Sequence, residues 1–291
     1  MNRGLWYAIA AYVIWGFFPL YWKQLGAVPS SQQMAHRVIW SLLLLSGVVY
    51  FQKKGKALLT ALRTPRIVWI HFGSTLLLGT NWLVYLWAVS HGFIVEASLG
   101  YFINPLFNVV LGVVFLGERL RLAQWIAVGI ALLGVLYLTF EYGALPWIGL
   151  VLAAAFGLYG LVRKAAPLEA VPCLTLEMGF LFIPTLLFLL FAESQGQGAF
   201  LHAGLTTDLY LIGAGVATTV PLLLFIGAAR RIPLSLLGIV QYITPTGQLL
   251  LGVLKYNEPF TRERAIGFAI VWTALIVFAI EGILAQKKKP S

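Results

Sequence analysis

"SLGYFINPLFNVVLGVVFLGE" (residues 98–118) sets a tyrosine, two asparagines and a proline inside a run otherwise apolar enough to lie in lipid. Polar side chains at that depth cost free energy against hydrocarbon, so the stretch needs a reason. One lies 140 residues further on, in "GIVQYITPTGQLLLGVLKYNE" (residues 238–258). Ile103/Ile243, Pro105/Pro245, Leu111/Leu251, Gly112/Gly252, Val113/Val253 and Glu118/Glu258 are identical in register. Shared leucines and valines mean little between two apolar helices, but a proline, a glycine and a glutamate in register mean more. The same offset pairs Ala88 with Ala228. An offset of 141 pairs Trp15-Gly16 with Phe156-Gly157 and Lys23 with Lys164.

Outward from this pair, the whole chain reads as membrane. Of its 291 residues 60% are hydrophobic and only 10% charged, with a mean hydropathy of +0.88, whereas a soluble chain is about a quarter charged. Apolar runs long enough to cover a bilayer core of about 30 Å recur throughout. The expected spans are 4–25, 32–51, 67–89, 93–116, 122–140, 145–163, 172–192, 208–229, 233–255 and 263–284. The ten-residue alternation of an outer-membrane barrel is missing. The first span follows Arg3 and reaches about Leu25 with no small-x-small cleavage site, so it is expected to stay in place. The longer connections, 52–66 and 193–207, are too short for a soluble domain.

Charge placement orients the spans. Fifteen of the twenty basic residues fall on one side: Arg3, Lys53, Lys54, Lys56, Arg63, Arg66, Arg119, Arg121, Arg163, Lys164, Arg230, Arg231 and Lys287 to Lys289. The other side holds Lys23, Arg37, Lys255, Arg262 and Arg264. By the positive-inside rule the first set is cytoplasmic. Both termini are then cytoplasmic and the number of spans is even. The formal charge of +10 is thus topological, and no nucleic-acid partner is expected. Ten spans divide into two copies, residues 1–142 (spans 1–5) and 143–291 (spans 6–10). Five is odd, so the second copy enters from the opposite side. The fold class expected is an all-α polytopic membrane protein, ten transmembrane helices in two inverted-topology five-helix repeats, an arrangement used by transporters.

The polar residues of span 4 share one face: Tyr101, Asn104, Asn108 and Gly112 are spaced i, i+3, i+7 and i+11. Their counterparts in span 9 are Gln241, Thr244, Gln248 and Gly252. Two related stripes are expected to line a cavity around the midplane, interhelical hydrogen bonding being the alternative. Pro105 and Pro245 are expected to kink their spans. Asn81 and Tyr85 lie at i, i+4 in span 3, Trp15, Trp82 and Trp87 make the interior aromatic, span 6 adds Tyr159, and span 8 adds Thr218, Thr219 and Pro221. Trp69 and Trp272 read as packing or interfacial residues.

Ionisable residues within spans are functional candidates. Arg37, two turns into span 2, is a candidate ligand for a substrate carboxylate or a gate at the outer mouth, snorkelling being the alternative. Its counterpart is Glu177 in span 7, a candidate proton-coupling group or else a salt-bridge partner of Lys164 or Arg163. His36 is a candidate pH-sensitive neighbour of Arg37. His71, His91 and His202 have no evident partner. Cys173 is the single cysteine. The sequence carries no P-loop, GxGxxG, CxxC or Cys/His cluster, so no cofactor or metal is expected. It also lacks the paired acids or nucleophile–base set of an enzyme.

"AYVIWGFFPLYWK" (11–23), "HRVIWS" (36–41), "NWLVYLWAV" (81–89), "EASLGYFINPL" (96–106), "FLGERLR" (115–121), "YGLVRK" (159–164), "TTVPLL" (218–223) and "QYITP" (241–245) together resemble the RarD family of EamA-type permeases, in the drug/metabolite transporter superfamily. The resemblance spans essentially the whole chain. It implies ten helices in two inverted repeats in the bacterial inner membrane, and secondary transport of small metabolites or drugs. The expected function is a permease, an exporter working by alternating access, with a small-molecule substrate and the lipid bilayer as its partners. A passive channel-like facilitator is the alternative, though neither a ring of like charges nor a filter motif supports it. Substrate, direction of transport, energy coupling and oligomeric state are left open.

Overall fold

The computed structural model describes residues 3–91, 93–257 and 261–287. Glu258, the counterpart of Glu118, and Lys288 and Lys289 lie outside them. Thirteen helices follow in order: α1 (Arg3–Gly16), α2 (Phe18–Trp22), α3 (Ser30–Phe51), α4 (Gly55–Leu62), α5 (Pro65–Ser90), α6 (Ile94–Leu116), α7 (Leu122–Tyr142), α8 (Trp147–Ala165), α9 (Ala170–Ser194), α10 (Leu205–Ala229), α11 (Leu234–Gln241), α12 (Ile243–Tyr256) and α13 (Arg262–Lys287). The described residues form no strand.

Nine stretches among them are long and apolar enough to cross a membrane. Two are broken. Arg3–Leu25 combines α1, α2 and a short 3-10 turn, and Leu234–Tyr256 combines α11 and α12. The tenth expected span, 263–284, falls on α13. Among the described residues its apolar stretch is Ala265–Glu281. Helix α4 was not expected; it forms inside the basic connection 52–66.

Proline chemistry explains the breaks. Pro245 has no N–H for the carbonyl of Gln241 and its ring crowds that carbonyl; the helix breaks at Tyr242, between α11 and α12. Pro19 does the same to Trp15, and the first crossing breaks at Phe17. The Trp15 carbonyl takes a side-chain donor instead, Gln248 Nε2 at 3.3 Å. Pro105, by contrast, sits inside a helix that runs unbroken from Ile94 to Leu116.

Small residues let the central helices cross closely. A Cβ on Gly100 of α6 would lie 3.1 Å from the carbonyl oxygen of Gly149 in α8, and one on Gly247 of α12 would lie 3.2 Å from Gly16 Cα in α1. A Cβ on Gly157 would reach 2.7 Å from the Phe107 ring. Gly157 and Phe107 stand 141 and 140 positions from Gly16 and Gly247. Hydrogen bonds repeat the pattern. Thr244 Oγ1 donates to the Tyr12 carbonyl at 3.0 Å, and Asn104 Nδ2 donates to the Ala153 carbonyl at 3.2 Å; these pairs too differ by 140 and 141. Residues one offset apart also touch each other. Tyr242 donates its hydroxyl to the Phe102 carbonyl at 3.1 Å, and the Trp15 and Phe156 rings meet edge to face at 5.8 Å.

Candidate functional site

The crossings leave a cavity of about 680 Å³ between α1, α2, α3, α5, α6, α8, α10, α11 and α12. Lys23, Gly26, Ser30 and Gln33 line it at the junction of the first crossing with α3. From there it runs inward to Phe156 and Gln241. Of the residues expected in a cavity wall, Trp15, Arg37, Asn81, Tyr85, Tyr101, Asn104, Gln241, Thr244 and Gln248 line it. Phe18, Trp22, Trp82 and Phe156 add further ring faces.

Three expected residues lie elsewhere. Asn108 is buried one turn deeper, where its amide nitrogen donates to Asn104 Oδ1 at 2.9 Å and to Gln241 Oε1 at 3.1 Å; it braces two wall residues. Tyr159 is turned to the opposite side, onto Glu177. Thr219 is buried within α10, and its hydroxyl finds no partner among the described residues. The amide stripes therefore serve both packing and lining. Asn81 Nδ2 donates to the Leu152 carbonyl at 3.0 Å, and Asn104, Thr244 and Gln248 bond backbone carbonyls while also facing the cavity.

Arg37 reaches the cavity from α3. Its Nε donates to Thr218 Oγ1 at 2.9 Å. Its guanidinium carbon lies 4.5 Å from the Trp82 ring centre and 5.0 Å from that of Trp22, close enough for cation–π attraction to both. Among the described residues Thr218 alone accepts a hydrogen bond from Arg37, and no carboxylate pairs with it. Lys23 Nζ sits 3.1 Å over the Tyr256 ring. His36, buried beside Arg37 in sequence, packs on Phe200 with ring centres 5.2 Å apart and does not line the cavity.

Aromatic rings close the inner end. Phe225 packs between Trp15 (5.7 Å), Phe156 (5.0 Å) and Tyr159 (6.1 Å). Beyond them lies a fully buried ionic cluster. Arg163, in the last turn of α8, has no exposed surface. Its Nη2 lies 3.0 Å from Glu177 Oε1 and donates to Ser74 Oγ at 2.7 Å. Its Nη1 contacts His71 Nδ1 at 3.2 Å and the Cys173 sulfur. Glu177 also accepts from Ser74 Oγ at 2.5 Å and from the Tyr159 hydroxyl at 3.0 Å. Arg163 is thus not the orienting surface charge that its place near a span end suggests, and His71 has a partner. The signal was present as three helical spacings, Tyr159/Arg163 and Cys173/Glu177 at i, i+4 and His71/Ser74 at i, i+3. Ligand atoms of His71, Cys173 and Glu177 come within 4.8 Å of one another, but the Arg163 guanidinium already contacts all three.

A family model described as the EamA-like transporter family matches this chain twice, over residues 2–140 and 145–280. An "Uncharacterized transporter" of Vibrio cholerae is 41% identical, covering 98% of this chain and 94% of that protein. "Protein RarD" of Escherichia coli K12 is 42% identical, covering 99% and 97%. "Chloramphenicol-sensitive protein RarD" of Pseudomonas aeruginosa is 30% identical, covering 95% and 93%. One solved crystal structure aligns with a TM-score of 0.72 over 95% of this chain and 97% of its own at 22% identity, a likeness of fold.

Proposed function

The chain belongs to the EamA-like transporter family, within its RarD group, and from that premise we propose that it is a secondary exporter working by alternating access. Membrane transport and a multi-pass bilayer setting follow from the family; substrate, direction and mechanism are our reading. The observation that carries it is the asymmetry of the two ends. One end holds a cavity walled by amides and rings. The other is closed by the Trp15–Phe156–Phe225–Tyr159 packing and the Arg163–Glu177 cluster. Rocking one half against the other would open the closed end and close the open one.

The double family match, the contacts repeated at offsets 140 and 141, and the touching pairs Phe102/Tyr242 and Trp15/Phe156 support two inverted repeats, 1–142 and 143–291, with α13 as the tenth crossing. With both termini cytoplasmic in a bacterial inner membrane, the cavity faces outward and the cluster inward. In this reading Glu177 exchanges a proton with the cytoplasm when the cluster parts. The packed inner end disfavours a passive channel, which needs a continuous path.

The test is counterflow in proteoliposomes, with a substrate first found by comparing the metabolite and drug content of overexpressing and deletion cells. Replacing Tyr101, Asn104 and Gln241 together by Phe, Leu and Leu should cut counterflow at least tenfold while the protein stays folded. Unchanged flux would remove the cavity from the transport path. Comparing flux driven by a pH gradient in wild type and Glu177→Gln tests coupling; equal gradient dependence would remove Glu177 from that role.

A further inference from the structure

The charge balance of the cavity points to the chemistry of its occupant. The chain has ten side-chain carboxylates, and among the described residues none of them lines the cavity. Two cations do line it, Lys23 and Arg37. Lys23 is engaged by the Tyr256 ring. Arg37 is held at Nε by Thr218 and covered on its faces by tryptophans, which leaves the edge carrying its terminal nitrogens.

The inner cluster shows what is missing. Arg37 stands 140 positions before Glu177, and Trp22 stands 141 before Arg163. The inner pair is a guanidinium with its own carboxylate, 3.0 Å apart. The related outer pair is a guanidinium with an aromatic ring. A cation within a span is stabilised by a counter-charge, and a guanidinium edge matches a carboxylate through two parallel hydrogen bonds. Nothing among the described residues supplies that anion. The rest of the wall is suited to a flat apolar body: Trp15 and Phe156 at the inner end, Tyr85 and Tyr101 edge to face at 6.3 Å beside it. A volume of about 680 Å³ falls in the range of small-molecule sites.

Building on the transport reading above, we propose that the substrate is a small organic anion, a carboxylate carried on a planar ring, whose carboxylate completes the Arg37 site. A cation would meet Arg37 and Lys23, and no described residue of the cavity wall offers it a carboxylate.

The experiment uses the full chain in lipid nanodiscs and three probes of one shape: phenylacetate, phenylacetamide and phenethylamine. Radiolabelled phenylacetate should bind saturably. Phenylacetamide should compete at least tenfold more weakly and phenethylamine not at all. Arg37→Gln should weaken phenylacetate at least tenfold and leave phenylacetamide unchanged, and Arg37→Lys should recover part of the loss. The proposal is overturned if phenethylamine competes as well as phenylacetate, or if folded Arg37→Gln, or Arg37→Met should that variant not fold, keeps both affinities. It is also overturned if phenylacetate does not bind, or if chloride displaces it at equal concentration. The two readings fail separately. Saturable counterflow of a cation would sink the anion assignment and leave transport standing. Arg37-dependent phenylacetate binding without counterflow of any bound compound would do the reverse.

Discussion

Arg163 is a fully buried charge whose only carboxylate partner among the described residues is Glu177. Removing one member of such a pair leaves the other buried without compensation, at a cost of about 3–5 kcal/mol. Arg163→Met should therefore be strongly destabilised in detergent. The double variant Arg163→Met/Glu177→Leu should be more stable than Arg163→Met alone. Additive losses in thermal unfolding would show that the pair does not act as a unit. This residue also marks where sequence reading ran out. An arginine near a span end looks the same whether it points to the water or back into the bundle, because hydropathy carries no direction. Arg37 was legible because it lies deeper, and Asn104 and Gln241 because their spacing set them on one face. Tyr159 misled because a polar residue on a span does not say which of two compartments it faces.

At the level of elements, the glutamate that recurs in register is a helix cap. Glu118 accepts from the backbone N–H groups of Leu234 at 2.6 Å and Ser235 at 2.9 Å, and from the Ser235 hydroxyl at 2.7 Å. It thereby satisfies the first turn of α11, where the helix dipole favours an anion. Gly112 leaves room for it: a Cβ there would lie 2.6 Å from Glu118 Oε2. Glu118→Ala should cost about 0.5–2 kcal/mol, the range of a lost N-cap, with Glu118→Gln milder; equal unfolding midpoints for all three would refute the cap. Gly100→Val should cost about 1–3 kcal/mol by overpacking the α6–α8 crossing. An unchanged melting temperature would show that the crossing has slack. The long helices were readable from apolar length alone and the α11–α12 break from Pro245. Helix α4 was not, because eight residues in a basic linker fall below the length at which hydropathy speaks. The unbroken course of α6 through Pro105 was hidden too, since a proline fixes the missing hydrogen bond and not how far its neighbours hold the helix straight.

Across the whole molecule, the two halves are also tied at the basic end. Lys54 at the start of α4 pairs with Glu169 at the start of α9, Nζ to Oε2 2.8 Å. The hydrogen bond to Lys54 holds the Glu169 carboxyl below its usual value. A lowered carboxylate stabilises above its unfolded value of about 4.3, and the effect is lost as pH falls through the lowered folded one. Lys54→Gln should therefore lower the melting temperature slightly at pH 7 in low salt. The gap should narrow as the pH falls below about 4 and shrink in 0.5 M salt, since exposed pairs are weak and screened (about 0–1 kcal/mol). A gap independent of pH would assign the effect to packing. The inner cluster has one more consequence. Cys173 is the chain's single thiol, and it is sealed beside Arg163. A maleimide added to the native protein has one thiol to find, and under the proposed alternating access it would reach that thiol when the cluster parts. Its labelling rate would then time the proposed opening, read without replacing any residue.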